Sequence, residues 1–211
     1  MCLLAIVRNA KFEKLIDKIW EANPDGGGMA VRTKEGIRYK KGLDLEEFKR
    51  AFKEFAKQGS EFVVHFRLAT SGPKLPILTH PFVVSPRLVR ETEGTAKLVL
   101  FHNGVVTDWK AIDLLYRSLF RTDMPALSDT EAVARVLSKL DWGDRIKFLK
   151  LLGGKWLLYG KNITVRIGKW EELDGNLLSN KNWQVKVKYE YYPYYENWFN
   201  RIKKGGDIND I

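Results

Sequence analysis

The sequence predicts a layered α+β domain rather than a doubly wound sheet. Three observations carry that expectation. Strand-like and helical segments fall in the order strands, helices, strands, without regular βαβ alternation. The apolar period is helical through the middle of the chain and changes to two in the last third. No internal repeat is present.

The elements follow in order. Leu3 to Val7 (LLAIV) reads as a buried strand, and Phe12, Leu15, Ile16, Ile19 and Trp20 form a helical apolar stripe. NPDGGG at 23–28 reads as a turn, and MAVRT followed by GIRYKKG as a hairpin. Leu45, Phe48, Phe52 and Phe55 mark a second amphipathic helix, with Asp44 as its N-cap. EFVVHF at 61–66 and AKLVLF at 96–101 are strand-like and flank a proline-containing loop from about 72 to 94. Helices are expected from Asp108 to Phe120, from Asp129 to Leu140 after the cap Ser128, and from Asp144 to Leu152. KWLLYG, NITVRIG and QVKVKYE then read as strands.

The totals bound the function. At 211 residues and 45% apolar content the chain fits one large or two small domains with a real core. Runs such as LLAIV and VLF are far shorter than the roughly 20 residues a membrane helix needs, and the start MCLLAIVRNAKFEK inverts the order of a secretory signal, so a cytoplasmic protein is expected. The formal charge of +10 would attract polyanions, but the basic residues are scattered and no zinc-finger or RNP-like motif appears. A solvated surface is therefore preferred to a nucleic-acid interface. A single cysteine excludes an internal disulfide and any multi-cysteine metal site. His65, His80 and His102 lack metal-ligand spacing and read as structural, with His80 before Pro81 as a wall of a site; neither metal nor cofactor is expected.

Four short segments carry a family resemblance: Cys2, HFRLATSG at 65–72 with THPF at 79–82, FHNGVV at 101–106, and SDTEAV at 128–133. In this order and at these separations they resemble the glutaminase signatures of class-II glutamine amidotransferases, and NPDGGGMAV resembles the turn of small stand-alone members. The resemblance spans roughly residues 2 to 180. It implies a four-layer αββα sandwich of the N-terminal-nucleophile hydrolase type, with glutamine as the substrate class. The expected organisation is a glutaminase domain over 2–182 and an aromatic, basic extension over 183–211.

The chemistry can be reasoned beside the name. Methionine aminopeptidases act when the second residue is small, so MC would mature to a free N-terminal cysteine whose amine, with a reference pKa of about 7.7 to 8.0, can accept the proton of its own thiol. By resemblance Asn103, through its side-chain amide, and Gly104, through its main-chain N–H, stabilise the oxyanion. Arg67 would fork onto the substrate α-carboxylate, Asp129 would take the α-ammonium, and Thr70 joins the substrate-binding set. Taken singly, each residue also has an ordinary reading. Cys2 is a small buried apolar residue, HNG a strand-end turn, Asp129 a helix first-turn acid and Arg67 a structural ion pair.

Two departures bear on substrate. Leu68 stands where amino-sugar and nucleotide-forming members commonly have an aromatic residue, and Ser71 where they have histidine. Besides glutamine hydrolysis, the readings are therefore a γ-glutamyl or other amide hydrolase of the same fold, or a non-catalytic scaffold or nucleic-acid-binding module. The few dozen residues after the last glutaminase-like strand are too short for a second catalytic domain. The chain is thus expected either to work as a free amidohydrolase or to dock a separate ammonia-acceptor enzyme, with Tyr189 to Phe199 as the candidate contact.

Overall fold

The continuous apolar run LLAIV forms β1 (Leu3–Val7), buried along its whole length. The computed structural model describes residues 2–69 and 73–184. Gln184, the first residue of the expected strand QVKVKYE, lies in a 3-10 turn, Asn182–Gln184, and the rest of that strand, the aromatic segment from Tyr189 onward and Thr70 lie outside the described residues. After β1 the predicted helical stripe is split in two. Asn9 caps a 3-10 turn, Ala10–Leu15, which gives way to α1 (Ile16–Ala22).

β2 (Gly27–Arg32) and β3 (Ile37–Leu43) form the predicted hairpin. The last glycines of NPDGGG belong to this strand and not to the turn. A Cβ at Gly28 would lie 1.9 Å from the His80 carbonyl, so the sheet requires a bare backbone there. α2 (Leu45–Ala56) opens on a complete capping box between Asp44 and Glu47. β4 (Phe62–Phe66) follows it. The proline-containing loop holds a 3-10 turn, Pro76–Leu78, then β5 (Phe82–Val83) and β6 (Glu93–Ala96).

The expected single strand AKLVLF is two strands. β6 pairs with β3, whereas β7 (Leu98–Asn103) pairs with β8 (Lys155–Gly160), so the chain changes sheets at Lys97. Three helices intervene before β8: α3 (Trp109–Phe120), α4 (Asp129–Leu137) and α5 (Trp142–Leu152). α4 stops short of the expected Leu140, where the Ser138 hydroxyl bonds the Arg135 carbonyl, and α5 starts early because Asp141 caps it. β9 (Ile163–Ile167) is followed by a hairpin of β10 (Glu171–Leu173) and β11 (Asn176–Leu178).

Among the described residues seven strands form one sheet, ordered β10-β11-β1-β4-β2-β3-β6, and four form a second, ordered β5-β7-β8-β9. Every described ladder is antiparallel. Three apolar cores account for their burial. One lies between the first sheet and the side chains of the Ala10–Leu15 turn, α1 and α2, including Phe12, Phe48 and Phe52. A second joins the two sheets through Leu4, Ile6, Val63, Val99, Phe101 and Leu157. The third sets Leu100, Trp156 and Leu158 of the second sheet against Val133, Leu137 and Leu149 of α4 and α5. Trp183 is buried in the first core. No helix among the described residues is long and apolar enough to cross a membrane.

Candidate active site

Cys2 immediately precedes β1, and antiparallel register sets Leu3 opposite Phe66, so the first residues of β1 meet the end of β4. The Leu68 N–H donates to the Cys2 sulfur at 3.3 Å, and the thiol lies 3.4 Å from the Leu68 carbonyl. Burial pushes the Cys2 thiol pKa up, while the Leu68 N–H and the positive charge of Arg67 oppose that rise.

Arg67 is held by its own backbone. Its N–H donates to Gly26 O at 2.8 Å and its carbonyl accepts from Asp25 N at 3.0 Å, which clamps the end of β4 onto the NPDG turn. Asp25 completes the clamp by accepting from Ala69 N at 2.8 Å and pairing with Lys74 at 2.7 Å. One guanidinium nitrogen of Arg67 donates to the Pro73 carbonyl at 2.9 Å. The other, Nη1, is buried and has no partner among the described residues. Burial lowers the Arg67 pKa, against the pull of Cys2, Asp25 and Asp129, which places all three within electrostatic reach of the guanidinium.

The second sheet contributes Asn103, the last residue of β7. Its amide nitrogen donates to Ser179 Oγ at 2.7 Å, and its Oδ1 is buried without a partner among the described residues. A methyl group at Gly104, in the turn after β7, would approach His102 Nε2 to 2.7 Å, so a side chain there would have to displace the buried His102 ring. Asp129 pins that turn from the first position of α4. Its Oδ2 accepts from Val106 N at 3.0 Å and its Oδ1 from Thr130 N at 2.7 Å, while Ser128 caps the helix as predicted. About 21% of the Asp129 side chain stays exposed, enough to leave the carboxylate open to a further ligand.

The three histidines, distant in sequence, are neighbours in space. The His65 and His80 rings lie 4.1 Å apart, and Thr130 Oγ1 bridges His80 Nε2 at 3.3 Å and His102 Nδ1 at 3.4 Å. Burial depresses the pKa of His65 to about 3 and of His102 to about 4, and drives His80 well below its ordinary value. Among the described residues no group of three His, Cys, Asp or Glu is arranged to hold a metal.

The structure thus brings Cys2, Arg67, Asn103 and Asp129 toward one end of the paired sheets, with Gly104 in the turn that Asp129 holds. Two surface cavities, of about 420 and about 270 Å³, have none of these residues in their walls. Asp25, Ser179 and Asn180 escape sequence reasoning. A signal for the hairpin that delivers the last two was present in Asp174-Gly175, whose φ values of 49° and 76° are those of a two-residue hairpin turn.

No protein-family model matches the chain, and no curated protein matches it significantly. Among solved structures it is similar to glutamine phosphoribosylpyrophosphate (PRPP) amidotransferase from B. subtilis, complexed with ADP and GMP. The TM-score is 0.57 and the identity 17%, over 84% of this chain and 41% of that one. At that identity the likeness is one of fold: an α+β architecture with antiparallel sheets.

Proposed function

We propose that this chain is a class-II glutamine amidotransferase-type glutaminase, with an N-terminal-nucleophile αββα sandwich over residues 2–182 and an extension over 183–211. The observation that carries the reading is the convergence of Cys2 with Arg67, Asn103 and Asp129, residues drawn from both sheets and the start of α4. The shared fold with a glutamine-named amidotransferase supports it.

In this reading removal of Met1 frees the Cys2 amine, which takes the thiol proton, and the thiolate attacks the glutamine side-chain carbonyl carbon. The carbonyl oxygen becomes an oxyanion that the Asn103 amide and the Gly104 N–H stabilise. On collapse the leaving amide nitrogen takes back the proton that the amine received and departs as ammonia, leaving a γ-glutamyl thioester and a neutral amine. Water, deprotonated by the same amine, cleaves the thioester to glutamate and regenerates the thiol. The buried Nη1 of Arg67 meets the substrate α-carboxylate, Asp129 meets the α-ammonium, and Thr70 completes the binding set. Ammonia passes to solvent or to a separate acceptor enzyme.

A second reading, hydrolysis of γ-glutamyl or other amides, is favoured by Leu68, whose backbone lies against the Cys2 sulfur and which stands where amino-sugar and nucleotide-forming members of the resembled family commonly have an aromatic residue. Substrate profiling separates the two. Cys2→Ala is expected to abolish glutamine hydrolysis and labelling by diazo-oxo-norleucine with little change in melting temperature. Equal labelling of the variant would remove Cys2 from the chemistry. Intact mass beside activity tests the processing step, because material retaining Met1 should be inactive.

A further inference from the structure

We propose that Ser179 and Asn180, at the end of β11, are positioning residues that lock the nucleophile's backbone and the Asn103 amide into one frame. The inference rests on the roles given above to Cys2 and Asn103. Ser179 is fully buried and Asn180 is 5% exposed. Ser179 Oγ accepts from Asn103 Nδ2 at 2.7 Å and from Leu4 N at 3.0 Å, and Ser179 N donates to Leu4 O at 2.8 Å. Asn180 Nδ2 donates to the Cys2 carbonyl at 2.8 Å and lies 3.4 Å from Ser179 Oγ, while its Oδ1 accepts from Asn182 N at 3.0 Å. Lys155, opposite Asn103 in the β7–β8 ladder, donates to the Ser179 carbonyl.

These contacts bridge elements that no ladder joins. β1 belongs to the first sheet and β7 to the second, and Ser179 bonds both. The terminal torsion of an asparagine is broad, so a hydrogen bond must set its amide plane. Because Asn103 Oδ1 has no partner among the described residues, Ser179 supplies that hydrogen bond. With one N–H of the amide committed to Ser179, the direction of the other is determined, and it is the one available to an oxyanion. Asn180 holds the carbonyl of the residue that carries the attacking sulfur. The pair therefore sets the geometry between nucleophile and oxyanion donor, where small misplacements are costly.

The test is a double-mutant cycle on the processed enzyme with glutamine, reading kcat and KM separately. Ser179→Ala should lower kcat about 10-fold, the scale of one lost hydrogen bond, with KM little changed and Cys2 still labelled by diazo-oxo-norleucine. In an Asn103→Ala background the same substitution should change kcat by less than about 2-fold, because the group it positions is gone. An equal loss in both backgrounds, or an unchanged kcat in the single variant, would overturn the proposal. If Ser179→Ala loses its cooperative melt, Asn180→Ala decides. That variant should keep the melt and lose kcat, and full kcat there overturns the proposal. Wild-type enzyme that neither hydrolyses glutamine nor is labelled at Cys2 would overturn the functional reading itself and this inference with it.

Discussion

Arg67 carries two consequences in one guanidinium. Its charge lies close enough to Cys2 to favour the thiolate, and its buried Nη1 is a donor that a substrate carboxylate would satisfy. Arg67→Met is therefore expected to move the midpoint of Cys2 alkylation to higher pH, since removing a cation leaves burial less opposed. The same variant should raise KM for glutamine about 10- to 100-fold, the scale of a charge-assisted hydrogen bond lost to a carboxylate. Alkylation rates measured across pH, beside steady-state kinetics, check both. An unchanged alkylation profile would mean that Leu68 N–H, and not Arg67, governs the thiol. Asp129 is read in two ways at once, as a first-turn helix acid and as the anchor of the Gly104 turn, and its exposed fraction leaves the substrate role open to it.

Among the helices, α3 and α4 are joined by a charge cluster rather than by apolar contact alone. Asp113 of α3 accepts from Arg135 of α4 at 3.1 Å and from Arg117 at 2.9 Å, and both Asp113 and Arg135 are almost fully buried. Arg135 also donates to the Met124 carbonyl and lies 4.5 Å from the Tyr116 ring centroid. Asp113→Ala should destabilise the protein by about 3–5 kcal/mol, because it strands a buried guanidinium. Urea denaturation measures this, and a loss below about 1 kcal/mol would mean that the carbonyl and ring contacts suffice for Arg135. α2 behaves as its sequence predicts, since an amphipathic stripe and a capping box are both local signals.

His65, two residues from Val63 on β4, and His102, whose ring stacks 3.6 Å from Trp156 in the core between the second sheet and the helices α4 and α5, are buried in the neutral form. An unfolded histidine has a pKa of about 6.5, whereas His65 and His102 titrate in the fold at about 3 and about 4. Below pH 6.5 the unfolded chain binds protons that the fold refuses. Stability present above that pH is then lost as pH falls toward 4, by up to about 1.4 kcal/mol per pH unit for each histidine. Denaturation midpoints from pH 7 to pH 4.5 should fall accordingly, and His65→Phe should flatten the slope; an unchanged slope would show that carboxylates govern the acid limb. Periodicity and capping made most of the fold legible in the sequence, from Leu3–Val7 through α2 to β9, because those signals depend on residues a few positions apart. Cys2, Arg67, Asn103 and Asp129 were singled out in the sequence only through the resemblance of four ordered segments, spread from position 2 to 133, to the signatures of one family. Strand pairing is not local, so the change of sheets at Lys97 and the glycines that enter β2 were decided only by tertiary contacts. The same holds for the meeting of His65, His80 and His102 and for Ser179 and Asn180, whose bonds to Leu4 and Cys2 span 175 and 178 residues. Serine and asparagine carry no signature until burial removes water from them, and only the folded chain supplies that burial.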